Sequence, residues 1–112
     1  MAIQPVSEKA FQRTVIDVAR ALGWICASFR PGRTARGWRT AVQGDGVGFP
    51  DTLLIHPRRG QIVVAELKVG KNRASLAQDA WLDAFRAAGV PAYLWRPEDW
   101  PEIEAVLRGE WQ

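Results

Sequence analysis

Phe11, Val15, Val18 and Leu22 recur at three- and four-residue spacing, the period of a helix with one apolar face. Ser7 ahead of them suits an N-cap and Glu8 suits the first turn, so the pattern predicts an amphipathic helix over residues 8–22, closed by Gly23. The period then changes. Trp24 to Phe29 is apolar and rich in strand formers, Pro31-Gly32 breaks it, and Trp38 to Gln43 resumes a second strand pattern, with a loop or hairpin tip between them. Gly44, Gly46, Gly48 and Pro50 read as a flexible lead-in to Asp51, which opens directly onto Thr52-Leu53-Leu54-Ile55. After the turn Pro57-Arg58-Arg59-Gly60 comes Gln61 to Val69, the most apolar strand pattern in the chain, and the two segments pair naturally as a central hairpin.

Helical spacing returns behind Ser75 and Gln78, which match a capping box. Leu76, Ala80 and Ala84, with Trp81, Leu82 and Phe85, carry this second helix to about Ala88, and Gly89 ends it. Ala92-Tyr93-Leu94-Trp95 predicts a short strand, and Glu98 to Leu107 a peripheral acidic helix beginning near Pro101. The resulting order is α-β-β-β-α-β with a tail helix, an α/β class, with no repeat, linker or low-complexity segment. Residues 1–112 therefore read as a single domain, and with 47% hydrophobic residues it can bury a core without disulfide or metal staples.

Cys26 is the sole cysteine, which excludes an intramolecular disulfide and fits a reducing compartment; within Trp24-Ile25-Cys26-Ala27 it is expected to be a buried, inert thiol. No basic segment followed by an apolar stretch opens the chain and no apolar run is long enough to span a bilayer, so the expectation is a soluble, cytoplasmic protein. The formal net charge of +3 conceals an asymmetry: Glu98, Asp99, Glu102, Glu104 and Glu110 stand against Arg108 alone, leaving +7 on the remainder. A body this positive favours a polyanionic partner.

Chemistry enters with Pro50-Asp51, fourteen intervening residues, and Glu66-Leu67-Lys68, because each acid interrupts an otherwise apolar strand. Buried charge is costly unless it is paired or binds an ion. Alternation along the strand puts Glu66 and Lys68 on one side and Leu67 on the other. If Asp51 begins the partner strand, its carboxylate meets Glu66 across the pair. Their mutual repulsion becomes coordination when a divalent cation lies between them, and an oxygen-only set favours Mg²⁺ or Mn²⁺ over zinc. Such an ion neutralises charge on a phosphate and acidifies water, while Lys68 beside it can orient the nucleophile, stabilise the transition state or accept a proton. The plain alternatives are an exposed Glu66–Lys68 ion pair on an edge strand and Asp51 as a turn residue; Ile62-Val63-Val64-Ala65 argues for a central strand instead.

Gly48-Phe49-Pro50-Asp51 followed by Glu66-Leu67-Lys68 resembles the PD-(D/E)XK nuclease signature, and in detail the VRR-NUC family, over roughly residues 7–97. The resemblance implies a restriction-endonuclease-like fold, a mixed central sheet flanked by helices. It implies a metal-dependent DNA endonuclease that hydrolyses phosphodiester bonds, with an acid of the first helix, matched by Glu8, completing the metal set of Asp51 and Glu66. It also implies a glutamine of the second helix near the site, matched by Gln78. Glu8 has an alternative as a complement to the helix dipole, and Gln78 as half of the capping box. Stand-alone members of the resembled family include phage resolvases of four-way junctions that act as dimers. With one site per chain and little room for a sequence-reading domain, the expectation is a structure-selective, Holliday-junction resolvase-like homodimer of a bacterial cell or phage-infected host.

DNA contacts are expected from Arg30, Arg33, Arg36 and Arg39, interleaved with glycines in what reads as an exposed loop, and from Lys71 and Arg73 ahead of a helix N-terminus. Gly44-Asp45-Gly46-Val47-Gly48 lacks the Lys-Ser/Thr of a phosphate-binding loop. His56, the only histidine, has no partner for zinc and reads as a surface loop residue. The six tryptophans are expected to fill the core and a subunit interface. Two rival readings are a catalytically silent nucleic-acid-binding module of the same fold, and a structural subunit docking through its acidic C-terminal helix and Trp111.

Overall fold

A computed structural model describes residues 6–29 and 44–110 in full and, between them, the backbone of 32–34 and 37–39. The first apolar stripe folds as α1 (Glu8–Ala21). The Ser7 hydroxyl accepts the Ala10 N–H at 3.0 Å, and Gly23, at φ +98°, reverses the chain into β1 (Ile25–Ser28).

β1 pairs antiparallel with β4 (Thr52–His56), β4 pairs antiparallel with β5 (Gln61–Leu67), and β5 pairs parallel with β6 (Ala92–Trp95). The sheet order is β1-β4-β5-β6, a mixed sheet in which α2 (Leu76–Ala87) makes the crossover that a parallel pair requires. β2 (Gly32–Thr34) and β3 (Gly37–Arg39) form a separate two-stranded hairpin. The strand expected from Trp38 therefore begins at Gly37 and pairs with a segment read as loop, because two short strands close to each other in sequence pair at little entropic cost. Its remainder, 40–43, lies outside the described residues. With the hairpin set aside, the core keeps the expected α-β-β-β-α-β order.

Alternation along β5 builds two cores. Val63, Ala65 and Leu67, with Leu54, pack against Phe11, Val15 and Ala19 of α1; Val64 meets Leu82 of α2 and Ala92, with Leu53, Phe85 and Leu94 around them. The strand is central, as its aliphatic run implied. A 3₁₀ turn (Pro97–Asp99) leads into α3 (Trp100–Leu107), which is not peripheral. Ile103, Val106 and Leu107 enter the first core, and the Leu107 carbonyl accepts from Trp24 Nε1 and from the Arg59 guanidinium, both at 2.8 Å.

His56 is also corrected: at 6% exposure it belongs to the interior. Its Nδ1 accepts from the Arg59 N–H at 3.2 Å, which leaves Nε2 to donate to the Leu22 carbonyl at 2.9 Å, and Trp24 meets the ring edge-on. The imidazole ties the end of β4 to the end of α1. Cys26 is half-buried rather than buried, and burial pushes its thiol pKa up against the opposing charge of Arg20. Trp24 and Trp95 fill the core, whereas Trp81 and Trp100 are half-buried; the side chains of Trp38 and Trp111 lie outside the described residues. Among the described residues, no helix is long and apolar enough to cross a membrane.

Candidate active site

Register brings the two strand acids together. Thr52 lies opposite Ala65, so Asp51, one residue before β4, falls opposite Glu66. The Asp51 N–H donates to Glu66 Oε1 at 3.3 Å, and the Leu67 N–H donates to Asp51 Oδ2 at the same distance. Both acids are buried, at 8% and 3% exposure. Glu8, the first residue of α1, brings a third carboxylate: oxygens of Glu8, Asp51 and Glu66 lie within 4.8 Å of one another.

Asp51 is fixed from several sides. The Thr52 hydroxyl donates to its Oδ1 at 2.9 Å. Its backbone carbonyl accepts from the Phe29 N–H at 2.7 Å and from Gln12 Nε2 at 3.3 Å, and Gln12 Nε2 also donates to the Thr52 hydroxyl at 3.2 Å. Gln12 is 5% exposed. Neither Gln12 nor Thr52 was anticipated, although a signal existed: Gln12 is a polar residue four positions after Glu8, on the flank of α1 that turns inward.

Glu66 is held by two further side chains, one from its own strand line and one from α2. Lys68 lies on the same side of β5, as alternation requires, with Nζ 3.4 Å from Glu66 Oε2. Gln78 Nε2 donates to the same oxygen at 3.0 Å. Its Oε1 accepts from the Ser75 N–H at 2.8 Å while the Ser75 hydroxyl accepts from the Gln78 N–H, so the capping box and the site contact coexist in one side chain. Burial raises the Glu66 pKa above its ordinary value, against the opposing charge and hydrogen bond of Lys68 and the hydrogen bond from Asp51; the charge of Glu8 adds to the rise.

The lead-in to Asp51 is not the flexible run expected. Trp81 Nε1 donates to the carbonyls of Asp45 and Val47 at 3.1 and 3.2 Å, the Phe49 N–H donates to the Gly46 carbonyl at 3.0 Å, and Phe49 packs edge-on against Phe29, Trp81 and Phe85. Gly48, at φ +85°, approaches α2 so closely that a Cβ there would stand 2.5 Å from the Ala77 carbonyl carbon. The loop after β5 is fastened as well: the Arg96 guanidinium donates to the carbonyls of Gly70 and Asn72 at 3.1 and 2.6 Å. Lys71 and Arg73 stand exposed on that loop. Arg33 and Arg39 fall on β2 and β3, with their side chains outside the described residues, as are Arg30 and Arg36 altogether.

Three carboxylates, a lysine and two glutamines thus meet at one end of the sheet. Such a donor set suits a hard divalent cation, since oxygens surround the common point and no sulfur or imidazole takes part. Comparison with protein-family models matches residues 10–98 to the VRR-NUC domain. Comparison with curated proteins and with solved structures finds no match.

Proposed function

Because this chain belongs to the VRR-NUC domain family, a nuclease family, we propose that it is a Mg²⁺- or Mn²⁺-dependent endodeoxyribonuclease selective for branched DNA, with Glu8, Asp51 and Glu66 as the metal ligands. The observation that carries the reading is the convergence of those three carboxylates within 4.8 Å, two of them buried. Burial raises the Glu66 pKa and the charge of Glu8 adds to the rise, a cost of gathering these carboxylates that a bound cation would offset. A bound divalent cation supplies charge neutralisation at a phosphate oxygen and lowers the pKa of water.

The chain's own residues set the geometry. The Thr52 hydroxyl holds the Asp51 carboxylate, Gln12 holds Thr52 and the Asp51 carbonyl, and Gln78 holds one oxygen of Glu66 and so acts as a positioning residue. Lys68, with a side chain only 14% exposed, presents its ammonium beside Glu66, where it can donate to a phosphate oxygen or orient the attacking water. Selectivity for a four-way junction, and action as a homodimer, follow the family resemblance and the need of one site per chain to cut two strands symmetrically. Ile25, Ile55 and Ile62 lie opposite one another across β1, β4 and β5 and are exposed, which offers an apolar surface for self-association.

The test is incubation of the protein with a synthetic four-way junction and a matched linear duplex in Mg²⁺, Mn²⁺ or EDTA, beside Asp51→Asn and Lys68→Ala. Metal-dependent cutting that both substitutions reduce by at least about a hundredfold is the expected result. Equal cutting of junction and linear duplex would defeat the structure selectivity. Binding without cleavage under every metal condition would favour a catalytically silent module.

A further inference from the structure

Lys9, Arg13 and Arg20 recur along α1 at spacings of four and seven residues, so they share one flank of the helix. Ile16 stands in the same row, and all three cations are exposed. The ion pairs among the described residues join Lys68 to Glu66, Arg86 to Asp83 and Arg108 to Glu104; none engages this row, although Asp17 lies beside it. A groove of about 580 Å³ runs along the flank, lined by Ser7, Lys9, Gln12, Arg13, Ile16 and Arg20 among others. Gln12, one of the lining residues, connects the groove to the carboxylate cluster, since its side-chain amide bonds the Asp51 carbonyl. Lys9 follows Glu8 directly.

We propose that this flank of α1 is the track for the sugar–phosphate backbone of the DNA strand leading away from the cleaved phosphate, an inference that takes its ligand from the nuclease reading above. The eleven helical rises from Lys9 to Arg20 span about 16 Å, the length of about five nucleotide steps. The row begins beside the metal cluster and ends well clear of it. Cations so placed bind phosphates at intervals along one strand without reading bases, and they fix where along the strand the cut falls.

Fluorescence anisotropy of a labelled duplex and a labelled four-way junction with the full chain, in EDTA and in Ca²⁺ across a salt series, tests the track. The variants are Lys9→Gln/Arg13→Gln/Arg20→Gln, Arg13→Gln alone, and Arg58→Gln, an exposed residue in the turn at the far end of β4 from Asp51. Thermal melting verifies that each is folded. The triple variant is expected to bind roughly tenfold or more weakly, with a log Kd against log salt slope on duplex shallower by about 2.7, or 0.9 per lost phosphate contact. Wild-type affinity and slope in the triple variant would overturn the proposal, as would an equal loss in Arg58→Gln and Arg13→Gln, which would reflect net charge alone. Mg²⁺-dependent cutting by the wild type is measured in parallel. Cutting by the wild type with unaltered binding by the triple variant defeats the track alone. Weakened binding by the triple variant of a wild type that cuts nothing defeats the nuclease reading and leaves the track. A wild type that binds no DNA defeats both.

Discussion

Gln78 divides one amide between two partners, its oxygen on the Ser75 N–H and its nitrogen on Glu66. The two roles separate experimentally. Ser75→Ala removes the cap hydroxyl, costing about 1 kcal/mol of stability, and should leave cleavage near the wild-type rate because the Gln78–Glu66 bond remains. Gln78→Ala removes both contacts and should lower the melting temperature and slow cleavage together; a Gln78→Ala enzyme with unchanged turnover would reduce the residue to a cap. Glu66 bears the opposite relation to stability. Its folded pKa lies above the ordinary value of 4.5, so folding disfavours the charged form: the penalty is absent below 4.5 and grows as pH rises through the folded value. In EDTA, Glu66→Gln should therefore melt higher than the wild type at neutral pH, with the difference shrinking as the pH falls toward 4.5 and lost below it. A difference independent of pH would show that the carboxylate charge is not its source. Activity should be lost in the same variant, a trade of function for stability.

At the scale of elements, the turn before β4 and the first turn of α2 behave as one assembly. Gly48 packs on Ala77 and Gln78, Trp81 holds the carbonyls of Asp45 and Val47, and Phe49 sits among Phe29, Trp81 and Phe85. This assembly seats Asp51 and Gln78 relative to each other. Gly48→Ala adds a side chain at positive φ and drives it against α2 backbone, so it should destabilise by about 1–3 kcal/mol, read in denaturant melts, and slow cleavage at temperatures where the variant is still folded. Full activity in a folded Gly48→Ala protein would separate the turn from the site.

At the scale of the molecule, α3 closes the core rather than decorating it. Burying Ile103, Val106 and Leu107 contributes about 1.5–3 kcal/mol each, a sum comparable with the whole stability of a small domain, about 5–15 kcal/mol. Truncation after residue 97 also removes the carbonyl that Trp24 and Arg59 share. The truncated chain should lose its cooperative thermal transition. A sharp, wild-type-like melt after truncation would return α3 to the peripheral role that its acidic composition implied.

What the amino-acid sequence by itself determined is whatever short-range geometry dictates. Caps and glycines bound α1 and α2 to within a residue or so, and strand alternation placed Glu66 and Lys68 on one side of a central strand with Leu67 on the other. These follow from the periods of helix and strand, which need no knowledge of distant partners. Asp51 and Glu66 were legible as acids on apolar strands, and Glu8 and Gln78 through family resemblance, while their juxtaposition was decided only by tertiary structure, because it depends on strand register and on where α1 and α2 lie across the sheet. The same holds for the elements misread. Gln12 and Thr52 become part of the site only when α1 packs beside β4, His56 is buried only because Leu22 and Arg59 meet it, and α3, acidic in composition, is buried through Ile103, Val106 and Leu107 by long-range packing. Burial is a property of what a residue is folded against, and pairing across many residues of chain leaves no periodic trace in the segment that performs it.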